Sequence, residues 1–560
     1  MTKLQIRVQN GILIKHYSLR KDNRRMNENN DLIVSWKRAN EIITSVYIVA
    51  ILVIFPLAFY NYYFDILDVK YMFYYGSVIL LTVVILITAF VYMYIDARDY
   101  QWENTRCIFK HFRRRPLRIA DWAMIFFMAA VSVSTLQSDY FYESFWGNEG
   151  RYTGMFLILL YFVSFFIVTR FLKFKRWYLD IFLAAGMVVC LIGILQFFEI
   201  DPIGFKVGLS WDDYRIFAST IGNINTYTSY IALVSGMSVV LFAQENNVYR
   251  KVWYTICVII SLFALITGIS DNAYLALIAL FGLLPIYLFD SIKGIKKYMF
   301  LLALLFSEFQ LIDIIIGKFP EHVLEITGLF NVVVGYDKLL YVVAGLWALT
   351  IFIHILDINL IKENYLQKKG NLGRWIWFAV LISGILCIGY ILFDVNINGN
   401  ADRYGSLKNY LVLDDEWGTH RGYIWRIGIE SYQKFPLIHK IFGHGPDTFG
   451  IITVNNYYDE MLSRYYEKFD SAHNEYLQYF ITIGVVGLAA YLSLLFTAIK
   501  EMIRASSKKP LLVAISFSII CYGAQAVVNI SVPIVAPIML TLLMVGVVAA
   551  REVADKDKHV

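Results

Sequence analysis

The sequence has little charge for its length. Asp, Glu, Lys and Arg make up 17% of the 560 residues, whereas a soluble domain carries about 25%. Hydrophobic residues reach 58%, and apolar runs recur from Ile43 to Ala550. Many of these runs reach the ~20 residues that a helix needs to cross a bilayer. A soluble globular protein is therefore excluded, and the sequence predicts an all-α polytopic membrane protein.

Cysteine is also scarce, with five residues in the chain. No two of them form a CxxC pair, and none stands at a metal-ligand spacing from a histidine. The sequence therefore predicts no disulfide and no structural metal. The first 40 residues contain no apolar stretch, so we expect no cleaved signal peptide. The net charge is only +6, and we expect no nucleic-acid partner.

About fourteen segments are predicted to span the membrane. They lie near residues 43–63, 72–95, 121–137, 153–170, 178–198, 225–243, 252–268, 272–289, 298–316, 337–356, 375–394, 475–498, 511–529 and 532–550. The predicted organisation is then a basic tail (1–42), spans 1–11 (43–394), one long hydrophilic loop (395–474), spans 12–14 (475–550) and a short tail (551–560).

The distribution of basic residues predicts the orientation of these spans. With the N-terminus placed in the cytoplasm, the inner segments hold 36 of the 50 Lys and Arg residues. Cytoplasmic loops of membrane proteins carry such an excess. Both termini are therefore expected in the cytoplasm, and the 395–474 loop is expected on the outer face, where we place the catalytic residues.

Three arginines and one histidine stand out on the predicted outer face: Arg151, Arg215, Arg421 and His473. A guanidinium binds phosphate through its planar fork, and an imidazole acts as acid or base near neutral pH. A lipid diphosphate that carries a sugar fits this set. The arginines would stabilise the diphosphate as leaving group, and the histidine would activate an acceptor hydroxyl.

Several of these polar residues have a structural alternative. Asp470 or Ser471 can cap the helix that follows, with Glu475 completing a capping box. Asn223 or Asn225 can cap the helix near 225. The stretch 420–435 has helical spacing of apolar residues and predicts a helix at the membrane surface, on which Arg426 either binds substrate or extends to the interface. Gly443 and Gly445 predict a tight turn, and no nucleotide-binding loop surrounds them.

Four stretches resemble the O-antigen ligase and polymerase family of integral membrane glycosyltransferases, in its Gram-positive type. The most specific is IFGHGPDTFG (441–450) followed by SAHNEYLQYFITIGVVGLAAYL (471–492). The others are HRGYIWRIGIESYQKFPLIHKIFG (420–443), YRIFASTIGNINTYTSYIAL (214–233), and GNEGRYTGMF (147–156) with LIGILQFFEIDPIG (191–204).

The resemblance implies a GT-C type membrane fold and an undecaprenyl-diphosphate-linked glycan as donor. It implies that Arg215 and Arg421 contact the diphosphate, that His473 is the base or positions the acceptor, and that no metal or other cofactor takes part. The full predicted site has His473, Arg421 and Arg215 as catalytic residues. The predicted substrate-binding residues are Arg151, Asn474, Arg426, Asn223, Asn225, Gly443 and Gly445.

The expected partners follow from the same resemblance. They are the lipid-linked glycan, a polysaccharide, lipid or protein acceptor, membrane lipid, and other polysaccharide-assembly proteins. The expected location is the bacterial plasma membrane. Transfer once to an acceptor (a ligase) and joining of repeat units (a polymerase) both remain open.

One departure from the family pattern is visible at TGISDNAYLAL (267–277). Many members have Thr-x-Ser-Arg-Gly there, and this chain has Asp271 and Asn272. The arginine contact is lost, so either the substrate geometry differs or Arg151 or Arg403 takes the role. Two other functions remain as alternatives, a transporter of lipid-linked sugar and a peptidoglycan polymerase of the shape, elongation and division type. A transporter would need charged residues within its spans, where only Glu308 and Asp313 are prominent.

Overall fold

The computed structural model describes residues 32–103, 105–106, 117–359 and 371–557. Most of the predicted 1–42 tail, Cys107 and the end of the 551–560 tail lie outside the described residues. The four described cysteines are free.

Helices make up nearly all of the described structure, and the larger ones are numbered along the chain. They are α1 (Leu32–Leu57), α2 (Ile66–Tyr100), α3 (Ile119–Leu136), α4 (Met155–Phe171), α5 (Trp177–Phe197), α6 (Ile224–Gln244), α7 (Val248–Thr267), α8 (Asn272–Leu288), α9 (Ile292–Lys318), α10 (Leu339–Asn359), α11 (Leu372–Asn396), α12 (Trp417–Lys434), α13 (Leu437–Phe442), α14 (Phe449–Tyr465), α15 (Glu475–Thr482), α16 (Gly484–Ala505), α17 (Leu512–Gln525) and α18 (Ala536–Asp557).

Shorter elements connect these helices. They are the α-helical turns Phe141–Trp146, Trp211–Ile216, Leu329–Val334 and Lys408–Leu411, and the 3-10 turns Pro320–His322, Ala401–Leu407 and Ala526–Val528. A π-helical stretch, Ala50–Ile54, lies within α1. Two short antiparallel strands, β1 (Phe217–Ala218) and β2 (Gly222–Asn223), precede α6.

The predicted all-α polytopic class is confirmed. Among the described residues, ten helices are long and apolar enough to cross a membrane, and four shorter apolar helices lie between them. Each of the fourteen predicted spans overlaps one of these helices. The number that cross the bilayer stays a prediction.

Helix α6 forms the centre of the bundle. Every residue of its membrane-length window is buried, and it packs against α5, α7, α8 and α17. Helix α11 lies at the opposite extreme, with none of its window buried within the chain. Asn223 and Asn225 lie at the N-terminal end of this closely packed helix, just before its buried window, and are half-buried.

The twelfth predicted span is two helices rather than one. α15 ends at Thr482 and α16 begins at Gly484, which has a φ of +70°. The backbone of Ile441 passes so close that a Cβ on Gly484 would lie 2.3 Å from its carbonyl oxygen. The break therefore exists because another chain segment packs directly against it, and hydrophobicity alone does not reveal such a contact.

The 395–474 loop is folded against the bundle. α12 and α14 enclose a small apolar core that includes Tyr423, Ile427 and Phe449, and this core continues onto Ile481 of α15. The helix predicted over 420–435 is present as α12. Its first turn is irregular, because Gly418, Thr419 and His420 all have left-handed backbone angles. The loop is thus a structured cap over one end of the bundle.

Candidate active site

A cavity of about 490 Å³ lies between this cap and the bundle. Its walls come from the start of α6, the start of α8, the first turn of α12 and the segment before α15. The polar residues that line it are Asn223, Asn225, Ser270, Asp271, Asn272, Thr327, Thr419, His420, Arg421, Glu467 and His473. Sequence-distant segments therefore meet at one polar cavity, and four of the predicted site residues are among its lining.

Among the described residues, Arg421 is the only arginine that lines this cavity. The left-handed segment before it turns its side chain inward, and Nη1 donates to the Gly418 carbonyl at 2.8 Å. Its Nε is buried without a hydrogen-bond partner among the described residues. Burial lowers the pKa of the Arg421 guanidinium, and the charge of Asp271 partly opposes that shift. A cation with an unused donor is therefore available to an anionic ligand.

His473 lines the same cavity with a free imidazole. No described residue forms a hydrogen bond to its ring, and its backbone is left-handed with a φ of +45°. Burial is the main cause that lowers the pKa of His473 to about 4, and the charges of Arg421 and Arg151 add to it. The ring is therefore neutral at pH 7, which is the state a general base requires.

Asn223 and Asn225 form the end of α6 at the cavity. The Asn223 side chain accepts from the Asn225 backbone N–H at 2.9 Å, so it caps the helix. Asn225 Oδ1 accepts from the Ser270 hydroxyl at 2.7 Å, and its carbonyl accepts from Asn529 at 2.9 Å. The capping alternative is thus correct for Asn223. Both residues also line the cavity, where their amide N–H groups have no protein acceptor among the described residues.

Asp271 adds a negative charge to the cavity lining, opposite in sign to that of Arg421. Its Oδ1 accepts from the Leu329 N–H at 2.7 Å. Gly328 has a φ of +75°, and a Cβ there would lie 2.4 Å from Asp271 Oδ1, so only glycine fits against this carboxylate. Burial raises the pKa of the Asp271 carboxyl, while the Leu329 N–H and Arg421 lower it. The neighbouring Asn272 is buried, and its side-chain N–H₂ has no partner among the described residues.

Arg151 and Arg215 lie outside the lining of this cavity. Arg151 pairs with Asp470 through two hydrogen bonds of 2.7 and 3.1 Å. The positive charge of Arg151 lies close enough to His473 to contribute to the lowering of its pKa. Arg215 forms an ion pair of 3.2 Å with the exposed Glu325. The adjacent Ile216 does line the cavity, so Arg215 stands at its edge. Neither arginine faces the cavity with a free fork in this arrangement.

Arg403 does not take the place of the missing arginine. It pairs with the buried Asp394 at 3.2 Å and is not part of the cavity lining. Asp394 also accepts from Asn398, Asn400 and Tyr404, which organises the start of the cap. The ion pair of Arg403 thus stabilises the fold of the cap and does not face the cavity.

Arg426 is held by three carboxylates. It pairs with Asp415 at 2.9 Å, and with Glu430 and Glu460 at 3.0 Å each, and these partners raise its pKa. The group joins α12 to α14 and to the residues before α12. Arg426 therefore has no donor directed at the cavity, and we do not include it in the proposed site.

We expect Arg426→Ala to lower stability more than activity. The change removes the cation that three carboxylates share, and Arg464 still pairs with Asp415 and Glu460. We expect a loss of about 1–2 kcal/mol in unfolding free energy. Thermal unfolding in detergent measures this loss, and transfer per folded molecule should fall less than about tenfold. Lys408→Ala is the matched control, because its ion pair with Asp402 is exposed and such pairs contribute about 0–1 kcal/mol. A hundredfold loss of activity with unchanged stability would contradict this role.

Asn474, not Asp470 or Ser471, caps α15. Its Oδ1 accepts from the N–H groups of Tyr476 and Leu477, both at 3.0 Å. Glu475 forms no capping box, because its carboxylate accepts from the hydroxyls of two buried tyrosines on α16 and α17. The cap prediction was wrong by three or four residues, because Asp470 pairs with Arg151 and Glu475 bonds to the two tyrosines. Asn474 fixes the helix start directly after His473.

Gly443 and Gly445 form the predicted turn, away from the cavity lining. A Cβ on Gly443 would lie 2.0 Å from the Thr482 carbonyl, and one on Gly445 would lie 2.0 Å from Ser144 Oγ. The turn thus packs into the break between α15 and α16. Asp447 follows it and accepts from the backbone of Asn148 and Thr153, so the turn also fixes the loop that carries Arg151.

Asp139, His439 and His444 have ligand atoms within 4.8 Å of one another. The two imidazoles stack at 3.8 Å with an angle of 6° between their planes. Imidazole lone pairs lie in the ring plane, so two parallel stacked rings do not direct them at a common point. His439 Nδ1 is also 2.8 Å from the Gly443 carbonyl oxygen. We therefore assign no metal to this group.

Sequence reasoning missed part of the cavity. Asp271 and Asn272 were noted only as a lost arginine contact, and Gly328, His420 and Glu467 gave no signal at all. The departure at Asp271 was the one available indication, because it placed an acid where an arginine was expected.

A comparison with known families agrees with this picture. Residues 327–492 match the model of the family described as O-antigen ligase (Wzy_C), a range that contains Arg421 and His473. The predicted resemblance to the O-antigen ligase family is confirmed by this match over residues 327–492. The chain is a helical membrane protein, and its matched part supports a glycosyltransferase of the O-antigen ligase and polymerase type. No curated protein matches the chain.

Proposed function

We propose that the protein transfers glycan from an undecaprenyl-diphosphate carrier to an acceptor hydroxyl on the outer face of the bacterial plasma membrane. The observation that carries the proposal is the meeting of Arg421 and His473 at one cavity, each with a side-chain nitrogen that has no partner among the described residues. A diphosphate leaving group needs a cation, and an acceptor hydroxyl needs a base. The cavity supplies both.

The diphosphate lies at Arg421 in the proposed complex. The guanidinium donates to phosphate oxygens and stabilises the negative charge that grows as the sugar leaves. The amide N–H groups of Asn223 and Asn225 are the neighbouring donors. Arg215 and Arg151 assist from the edge, where their ion pairs with Glu325 and Asp470 would have to open.

The transfer step balances with these groups alone. The acceptor oxygen attacks the anomeric carbon while the bond between that carbon and the diphosphate oxygen breaks. The electron pair leaves with undecaprenyl diphosphate, and the hydroxyl proton passes to His473. Burial keeps His473 neutral before the step, and the departing anion beside Arg421 stabilises the imidazolium afterwards.

The remaining predicted residues support this site. Asn474 fixes the helix that follows His473, and the Gly443–Gly445 turn fixes the break after that helix. The proposed organisation keeps a GT-C type bundle over 43–394 and 475–550, a catalytic cap over 395–474 and cytoplasmic tails at 1–42 and 551–560. Polysaccharide-assembly proteins and membrane lipid are the proposed further partners.

The test uses purified protein in nanodiscs with an undecaprenyl-diphosphate oligosaccharide. Release of undecaprenyl diphosphate with a ladder of lengthening glycan would show a polymerase. Release with a single transfer onto an added acceptor would show a ligase, which is the activity we expect. If no release occurs and the lipid-linked sugar crosses the bilayer of liposomes, the protein is a transporter and the proposal is wrong.

We expect the activity to persist in a metal chelator. The proposed charge stabilisation comes from Arg421 and amide donors, so no divalent cation is required. Transfer measured with and without excess EDTA should agree within about twofold. Loss of activity in EDTA that returns on addition of Mg²⁺ or Zn²⁺ would contradict the proposed mechanism.

A further inference from the structure

The cavity contains two opposite charges that do not neutralise each other by contact. Arg421 and Asp271 both line it and influence each other's titration. Among the described residues, neither forms an ion pair with the other or with a third group. A second carboxylate, Glu467, also lines the cavity. A site built only for a diphosphate would have no use for two carboxylates, because they repel it.

Asp271 is fixed in place rather than mobile at the surface. Its Oδ1 accepts the Leu329 N–H at 2.7 Å, and Gly328 packs against it where no Cβ fits. Its other oxygen, Oδ2, accepts no hydrogen bond from the described residues. The adjacent Asn272 has a buried side-chain N–H₂ that also lacks a partner there. An unused acceptor and an unused donor therefore belong to consecutive residues at the start of α8, and both residues line the cavity.

We propose that this end of the cavity, formed by Asp271 and Asn272, is the subsite for the acceptor sugar, and that it takes a neutral or amino sugar and rejects an anionic one. This inference rests on the proposed function. A carboxylate beside an amide offers both hydrogen-bond roles that sugar hydroxyls need. An ammonium group gains a charge-assisted bond to Asp271, whereas a uronate faces like charge.

The two ends then have separate tasks. Arg421 holds the anionic donor, and Asp271 holds the acceptor so that its hydroxyl lies near His473. The carboxylates also discourage the diphosphate from binding at the acceptor end. The negative charge of Asp271 at the start of α8 thus favours a neutral or amino sugar as acceptor.

Binding measurements test this subsite without requiring turnover. The probes are the methyl glycosides of glucosamine, glucose and glucuronic acid, measured by saturation-transfer difference NMR on the full-length protein in nanodiscs. We expect the glucosaminide to bind most tightly and the glucuronide at least about tenfold more weakly. Farnesyl diphosphate serves as the probe of the donor end.

The decisive variant is Asp271→Asn, because the amide oxygen keeps the hydrogen bond from Leu329 and removes only the charge. The affinities of this variant for the three glycosides should lie within about twofold of one another, and it should still bind farnesyl diphosphate. Arg421→Ala should weaken farnesyl diphosphate binding and keep the wild-type order of the three glycoside affinities. Asp402→Asn, a carboxylate outside this cavity, is the matched control and should keep the wild-type order.

The outcomes separate this inference from the proposed function. An equal affinity of the wild type for all three glycosides, or an unchanged order in Asp271→Asn, would overturn the acceptor subsite. If Asp271→Asn does not fold, Glu467→Gln, at an exposed position, is the second variant. It should reduce the differences in affinity between the three glycosides, and unchanged differences would again overturn the acceptor subsite. Failure of the proposed function appears elsewhere, as absence of undecaprenyl diphosphate release by the wild type.

Discussion

Replacing His473 with alanine should reduce transfer by about 10²–10⁴-fold, the range that a positioned general base contributes. The variant should still fold, because no described residue bonds to the His473 ring and Asn474, not His473, caps α15. The measurement is the rate of undecaprenyl diphosphate release, together with thermal unfolding of the purified variant. His322→Ala, in an exposed turn outside the cavity, is the matched control and should retain the wild-type rate.

Added imidazole gives this prediction a second readout. The cavity of about 490 Å³ has room for a free imidazole once the side chain is removed, so part of the lost rate should return. A merely structural histidine would show no such rescue. Wild-type activity in His473→Ala would remove it from the site.

The pH dependence of kcat/KM follows from the same residue. Burial lowers the pKa of His473 to about 4, so the ring stays neutral through the neutral range and accepts a proton only near that value. The rate should therefore be constant near neutral pH and fall as the pH approaches 4. An inflection near the ordinary histidine pKa of about 6.5 in wild type would contradict a buried base.

Folding stability should depend on pH in the same direction. The unfolded chain protonates His473 near its ordinary pKa, and the folded chain does so only near 4. Between these values the unfolded state binds more protons, so this residue lowers stability as the pH falls. Above the unfolded pKa the contribution is constant, and His473→Ala should flatten this part of the stability profile.

Replacing Arg421 with alanine should reduce transfer by about 10²–10³-fold, the usual cost of removing one group that stabilises an anionic transition state. The guanidinium lines the cavity with one donor that has no partner among the described residues, and no other described arginine lines it. The donor KM should rise as well, because part of the same contact exists in the bound ground state. Steady-state kinetics with the lipid-linked oligosaccharide measures both effects.

Two comparisons define the role of Arg421 more sharply. Arg421→Lys keeps the charge without the planar fork, so it should recover part of the rate. Arg403→Ala changes another arginine of the cap that is paired with Asp394 and lies outside the cavity. It should leave the donor KM unchanged. Equal losses in Arg421→Ala and Arg403→Ala would indicate general weakening of the cap instead of a missing phosphate contact.

The helices were predictable because each depends on a local pattern. A run of about 20 apolar residues satisfies its own backbone hydrogen bonds in lipid, so α2, α6 and α9 follow from composition alone. The break between α15 and α16 was not predictable in this way. It depends on the backbone of Ile441, which is more than 40 positions away in the sequence, and no hydropathy window contains that contact.

The candidate site was predictable in part for a related reason. Arg421, His473, Asn223 and Asn225 belong to recognisable motifs and do line the cavity. Arg421 was predicted to be catalytic, whereas Arg426 on the same amphipathic helix was predicted either to bind substrate or to extend to the interface. Only the fold shows that Asp415, Glu430 and Glu460 converge on Arg426 while Arg421 turns inward after three left-handed residues.

The sequence by itself determined that this is a polytopic helical membrane protein and that its motifs resemble those of the O-antigen ligase family, because hydropathy and motif spacing are local properties of single segments. The tertiary structure decided which charged side chains are free to contact a substrate. Ion pairs occupy Arg151, Arg215 and Arg426, whereas Arg421, His473 and Asp271 meet around a shared cavity with unused atoms. That selection depends on distances between segments hundreds of residues apart, and packing alone sets those distances.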